Sequence, residues 1–199
     1  MHWTAIASYL AANWMEDAGV LTTIVGIWLT TRRNLICWPV VLISDVLYLI
    51  VFYRVRLYSD ALLQIFFLGF TLYGWWYWSR GVCEEGVVRV VRLSTYSLLA
   101  GLAAGAAGSV LLGLLMERIG AALPLLDATL MSYSLVASWW QTRKHTANWW
   151  LWIAVDLVYI GEYLYKGLRP TAALYALLVG LAVLGLRDWR RAMATQTAA

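Results

Sequence analysis

The chain has 199 residues, of which 62% are hydrophobic and only 13% charged. A soluble domain needs about a quarter of its residues charged to keep its surface wet, so these figures exclude an ordinary water-soluble fold. The formal net charge of +4 is scattered between apolar segments, and with no basic face a nucleic-acid partner is excluded.

Seven apolar runs are predicted, each near the roughly 20 residues that cross a bilayer as a helix. A short amphipathic stretch with Trp3, Tyr9 and Trp14 leads into the first, residues 15–31. No positive n-region or small-residue cleavage site precedes it, so this span is expected to direct its own insertion. Residues 36–53 follow, with Pro39 as an expected bend, and then 58–78. The fourth run, 93–116, contains Leu99-Ala-Gly-Leu-Ala-Ala-Gly-Ala-Ala-Gly108. Small residues let helix backbones approach closely, so it reads as a packing and connecting helix. Residues 122–142, 149–165 and 171–186 complete the set. Continuous apolar runs, rather than short alternating ones, exclude a barrel.

Loop charge sets orientation. One side collects Arg32, Arg33, Arg80, Arg89, Arg92, Arg143, Lys144, Arg187, Arg190 and Arg191, ten in all, against five for Arg54, Arg56, Arg118, Lys166 and Arg169. The N-terminus is therefore expected outside and the C-terminus in the cytoplasm of a bacterial inner membrane. Trp75, Trp76, Trp78, Trp149, Trp150 and Trp189 lie near span ends, where indole rings favour the interface.

The chain aligns with itself when shifted so that Thr31-Arg32 falls on Thr142-Arg143. The same shift brings Asp45 onto Asp156 and Tyr48 onto Tyr159. Gly69, Gly74 and Trp78 meet Gly180, Gly185 and Trp189. A slightly longer shift brings Asn34-x-x-x-Trp38 onto Asn148-x-x-x-Trp152, an offset assigned to the loop at 145–147. Chance apolar similarity should rarely align Asn, Asp, Tyr, Gly and Trp in order. The expected fold is an all-α membrane protein with seven transmembrane helices. These form two parallel three-helix repeats, 15–78 and 122–189, joined by a linker helix at 93–116 within a single membrane domain. Parallel repeats of this kind are a transporter architecture with the solute site near the midplane.

At 100° per residue, Asn34, Trp38, Asp45, Tyr48 and Phe52 share one face of the second span. Asn148, Trp152, Asp156, Tyr159 and Tyr163 share one face of the sixth, and the third span adds Asp60, Gln64, Thr71 and Trp75. Insertion scales charge Asp about +2.5 to +3.5 kcal/mol at mid-span, so Asp45 and Asp156 are expected to face protein, water or solute. Flat rings can clamp a planar heterocycle, and a cationic one gains about 0.5–2 kcal/mol over an aromatic face. Asn and Gln can read a carboxamide through paired donors and acceptors. The competing readings are caps for Asn34 and Asn148, interface anchoring for Trp38 and Trp152, and helix packing for Asp45, Asp156 and Gln64. Asp17, Asp127 and Glu162, nearer span ends, read as solvated or structural. Cys37 and Cys83 have no metal or redox spacing, and His2 and His145 give no metal site. No enzyme constellation appears: there is no H-E-x-x-H, Gly-rich phosphate loop or G-x-S-x-G.

Further motifs carry a family resemblance. They are Asn34-x-x-x-Trp38-Pro39, Leu57-Tyr58-x-Asp60-Ala61-x-x-Gln64-Ile65-Phe66-Phe67 and Tyr73-Gly74-Trp75-x-x-Trp78. In the second half they are Leu123-Pro124-Leu125-Leu126-Asp127-Ala128, Thr142-Arg143-Lys144, Asn148-Trp149-x-x-Trp152 and Tyr163-x-Tyr165-Lys166-Gly167-Leu168. From about residue 15 onward the chain resembles the PnuC family of vitamin transporters. The resemblance implies a SWEET-like 3+1+3 arrangement and facilitated diffusion of nicotinamide riboside without ATP, or of thiamine or riboflavin in sister branches. It implies no cofactor, a homo-oligomer (a trimer), and solute contacts at Asn34, Trp38, Gln64, Asn148, Trp149 and Trp152. Asp45, Asp156, Tyr175 and Trp139-Trp140-Gln141 depart from the family pattern. The full expected site is Asn34, Trp38, Asp45, Tyr48, Gln64, Asn148, Trp149, Trp152, Asp156 and Tyr159. A rival reading of another class is a membrane scaffold or sensor subunit that transports nothing.

Overall fold

The computed structural model describes the backbone of residues 2–54, 56, 58–80, 88–118 and 123–198. Within these stretches side chains are described from Trp14 to Gln196, except at 58–60, so Cys83 and the side chains of Trp3, Tyr9 and Asp60 lie outside the described residues. Seven helices and no named strand are found there: α1 (His2–Thr31), α2 (Cys37–Arg54), α3 (Tyr58–Ser79), α4 (Thr95–Arg118), α5 (Pro124–Thr142), α6 (Asn148–Tyr165) and α7 (Arg169–Ala198). The expected amphipathic stretch and first span are one continuous helix. The last helix runs on to Ala198, past the expected end at 186, because Arg, Ala and Met are good helix formers and no Gly or Pro stops it.

Pro39 is the third residue of α2. In a first turn its missing N–H breaks no helical hydrogen bond, so it starts the helix and does not bend it. This corrects the expected hinge.

Helix contacts close a ring. α2 touches α1 and α3, α6 touches α5 and α7, α3 packs on α5, and α1 packs on α7. In that ring α2 and α6 lie opposite each other without direct contact, while α4 stands outside on α5 alone. Glycines seat α4: a Cβ at Gly101 would come 2.5 Å from the Trp140 ring, and one at Gly105 would come 2.5 Å from Tyr133. Large apolar side chains such as Leu21, Ile43, Phe66, Leu111, Leu157 and Leu184 are exposed, as a lipid-facing surface requires. By length and apolarity alone, three stretches qualify as spans: Cys37–Arg54, Thr95–Arg118 and Arg169–Gln196. α5 and α6, of 19 and 18 residues, are long enough, but their Trp, Tyr and polar residues lower their mean hydropathy.

The turns after α1 and α5 share one hydrogen-bond pattern. Arg33 N–H donates to Thr30 O and Asn34 N–H to Leu29 O; Lys144 N–H donates to Gln141 O and His145 N–H to Trp140 O. This double bond closes a helix with a left-handed residue, here Arg33 at φ 57° and Lys144 at φ 65°. The match continues into the next helices. Cys37 N–H to Asn34 O corresponds to Asn148 N–H to His145 O, and Trp38 N–H to Leu35 O corresponds to Trp149 N–H to Thr146 O. Every one of these pairs obeys the shift that carries Thr31 onto Thr142. The backbone therefore has no room for the longer shift expected at the second turn: Asn148 stands where Cys37 stands, and Trp149 where Trp38 does.

The other ends of α2 and α6 match too, with Arg56 at φ 63° and Gly167 at φ 76°. Arg56 N–H donates to Tyr53 O, as Gly167 N–H donates to Leu164 O. A side chain at positive φ costs on the order of 1 kcal/mol relative to glycine. Arg56 is exposed, so Arg56→Gly should raise the melting temperature of the purified protein and Gly167→Arg should lower it. Unchanged melting in both variants would refute the account.

Candidate solute site

The expected site residues occupy two levels of the ring. The first is where α2 and α6 begin. Trp38 and Trp149 are 3% and 1% exposed. Each indole lies where a glycine of the next helix leaves space: a Cβ at Gly74 would collide with the Trp38 ring, and one at Gly185 would be 2.5 Å from Trp149. Trp38 meets Trp78 edge-on at 5.1 Å, Trp78 meets Trp189 at 5.8 Å, and Trp189 meets Trp149 edge-on at 5.4 Å. Four rings thus run continuously from α2 to α6 through α3 and α7. Trp78 Nε1 donates to Thr142 O and Trp189 Nε1 to Thr30 O, both at 3.1 Å. The interface positions expected for Trp78, Trp149 and Trp189 are therefore corrected. All three are fully buried, held by glycine seats and carbonyl partners, whereas Trp76 and Trp150 are exposed as expected.

Asn148 is wholly buried and donates from Nδ2 to His145 O at 2.7 Å. Asn34 is apart from this group. It is exposed, and its Oδ1 accepts from Ile36 N–H at 2.9 Å, the local capping role. Trp152 is half-buried and its Nε1 donates to Gln141 Oε1 at 3.1 Å. Burial holds the His145 imidazole below its ordinary range; its backbone bond to Val91 opposes this and Arg143 reinforces it. A neutral imidazole thus favours the fold, a contribution present above the ordinary value of 6.5 and lost as pH falls below it.

The second level is mid-helix. Asp45 and Asp156 are each the ninth residue of an 18-residue helix, about 13 Å from either end at 1.5 Å per residue. Asp45 is 8% exposed and accepts a 2.6 Å bond from Thr71 Oγ1. Asp156 is 5% exposed and has no hydrogen bond among the described residues. Tyr48 lies against Gly19 and stacks on Phe52 at 5.7 Å. Tyr159 stacks on Tyr163 at 5.8 Å, and Tyr175 closes the trio at 4.8 and 5.2 Å. Gln64 on α3 is buried.

Four expected residues hold a buried polar atom with no hydrogen-bond partner among the described residues: Trp38 Nε1, Gln64 Oε1, Asn148 Oδ1 and Trp149 Nε1. Each such atom costs about 1–3 kcal/mol; Trp38, Asn148 and Trp149 hold theirs at the first level, and Gln64 holds its own further along α3, on the far side of Thr71 from Trp78. No cluster of three His, Cys, Asp or Glu able to hold a metal occurs among the described residues. Glu162, expected near solvent or in a structural role, is buried and ion-paired with Lys166. Two cavities, one lined by Tyr73 and Arg143 and the other by Leu126 and Glu162, contain none of the ten expected residues. Sequence reasoning missed Trp78 and Trp189 as parts of the indole row, although their alignment in the internal repeat was the available signal. It also missed Thr71 as the partner of Asp45.

The sequence profile described as nicotinamide mononucleotide transporter matches residues 13–191. The chain belongs to this family. It is thus a membrane transporter, and the family is not one of enzymes. The chain is 26% identical to the nicotinamide riboside transporter PnuC of Escherichia coli (strain K12), over 89% of this chain and 85% of the relative. It is 30% identical to the riboflavin/roseoflavin transporter RibM of Streptomyces davaonensis (strain DSM 101723 / JCM 4913 / KCC S-0913 / 768), over 88% and 84%. The crystal structure of the vitamin B3 transporter PnuC superposes with a TM-score of 0.78 at 20% identity, covering 96% of this chain and 87% of that one. That likeness shows the fold of this family member.

Gly74→Ala and Gly185→Ala should each displace a buried indole, costing on the order of 1–3 kcal/mol and altering tryptophan emission. Gly69 and Gly180 have nothing within 4 Å of the place an added methyl would take, so their alanine variants are the controls. Equal melting in all four would sink the glycine-seat reading.

Proposed function

We propose that this family member carries nicotinamide riboside by facilitated diffusion, without ATP. One observation carries the proposal: the unpartnered polar atoms of Trp38, Gln64, Asn148 and Trp149. A carboxamide has an acceptor for an indole N–H and donors for an amide oxygen. Asp45 and Asp156 at mid-helix favour a cationic pyridinium over a neutral solute. The named activity of the Escherichia coli relative supports the same reading.

The two halves, 15–78 and 122–189, act as parallel three-helix repeats around a pseudo-two-fold axis, with 93–116 as linker. The recurrence of the turn hydrogen bonds in both halves supports this. Alternating access follows from rocking one half against the other. The N-terminus lies outside and the C-terminus in the cytoplasm, as the ten-to-five loop charge supports, and the resemblance supports a trimer. Riboflavin is the second reading, supported by the relative from Streptomyces davaonensis at 30% identity; thiamine is the third.

Proteoliposomes offered labelled nicotinamide riboside, riboflavin and thiamine should take up the first saturably. Gln64→Leu should weaken apparent affinity about tenfold, equivalent to about 1.4 kcal/mol, without loss of melting temperature. Preferential riboflavin uptake would replace the solute, and passage of none of the three would overturn this choice of solute class.

A further inference from the structure

The strongest feature outside the proposed solute path is a cavity of about 390 Å³ where α3 and α5 end, lined by Tyr73, Trp76, Tyr77, Arg80, Arg143 and Lys144. It has three cations and no acid in its lining. The cations lie over rings: Arg80 Cζ is 4.4 Å from the Trp76 centroid, Arg143 Cζ is 5.1 and 5.0 Å from those of Tyr77 and Trp139, and Lys144 Nζ is 4.8 Å from that of Tyr77. Tyr73 stacks on Trp139 at 5.7 Å and continues the wall. A guanidinium on an aromatic face is held by its flat surface, which leaves its N–H fork free to grip an oxyanion in its own plane. No carboxylate among the described residues forms an ion pair with Arg80 or Arg143; Glu162 pairs with Lys166 at the end of α6, away from this cavity.

We propose that this cavity binds a phosphate group, and that the phosphate is the headgroup of an acidic phospholipid. The choice of a lipid rests on the surface leading away from the cavity. Ile65, Leu72 and Trp76 are exposed and, with Gly69, repeat at helical spacing along one face of α3 that ends at Arg80. An acyl chain can lie along that strip while its phosphate sits against the guanidinium groups. Exposed Trp76 and Trp139 stand beside the cations, the arrangement in which amphipathic rings mark the headgroup level. A free phosphate would use the cations and leave the strip unused.

Purified protein in detergent should be melted with added phosphatidylglycerol, with phosphatidylcholine and with millimolar inorganic phosphate. Phosphatidylglycerol should raise the midpoint by several degrees more than phosphatidylcholine. Arg80→Gln should remove at least half of that difference, and so should Arg143→Gln. Arg80 is exposed and lies over the Trp76 face, so its variant keeps the test valid if Arg143→Gln fails to fold. The double variant Arg187→Gln/Arg190→Gln, which removes two exposed charges on α7, should respond like the parent. Equal stabilisation by inorganic phosphate would uphold the anion site and overturn the lipid as its source. No preference for phosphatidylglycerol, or an Arg80→Gln response equal to that of the α7 control, would overturn the site itself.

Discussion

Two indole N–H groups hold the halves of the ring to each other. Trp78 near the end of α3 donates to the last turn of α5, and Trp189 on α7 donates to the last turn of α1. The acceptors are carbonyls in the last turns of their helices; Thr30 O also accepts from Arg33 N–H, so Trp189 adds a second bond there. Each indole bond joins a helix of one half to a helix terminus of the other. The neighbouring rings depend on it: Trp38 and Trp149 pack edge-on against these indoles and over Gly74 and Gly185.

The helices were legible because a membrane span is a long apolar run, and six of seven starts fell within a few residues of the observed ones. The ends of α1 and α7 were less so. Amphipathic and basic extensions carry no apolar signal, although the backbone continues helical through them. The repeat interval was readable from Asp45 and Asp156, Gly74 and Gly185, and Trp78 and Trp189. The local offset was misread because Asn34 and Asn148 share a letter while the turns place them differently. Asn34 caps a helix in the open, whereas Asn148 is enclosed. Such a difference arises from tertiary packing, which identical residue letters do not encode.

The candidate site was partly visible for a related reason. A sequence shows that Gln64, Asn148 and the tryptophans are costly to bury, but not which of them find partners. Trp152 finds Gln141 and Asp45 finds Thr71, while Asp156 and the four unbonded atoms do not. The turns that match in hydrogen bonding thus lead into helices that differ in chemistry. A hydroxyl faces the first mid-helix carboxylate, whereas the second half carries three tyrosines at Tyr159, Tyr163 and Tyr175.

The segment from Val88 to Val91, between α3 and α4, makes a fused chain different from a pair of half-length copies. Val88 O accepts from Arg33 Nη1, and Val91 exchanges backbone bonds with Lys144 and Thr146. One short stretch of connector thereby stitches both matching turns together, with Val88 and Val90 buried beside Trp78. A homodimer assembled from one half alone would have no such thread crossing its symmetry axis. Joining the halves therefore gives this end of the molecule a fastening that two separate half-length copies would not have.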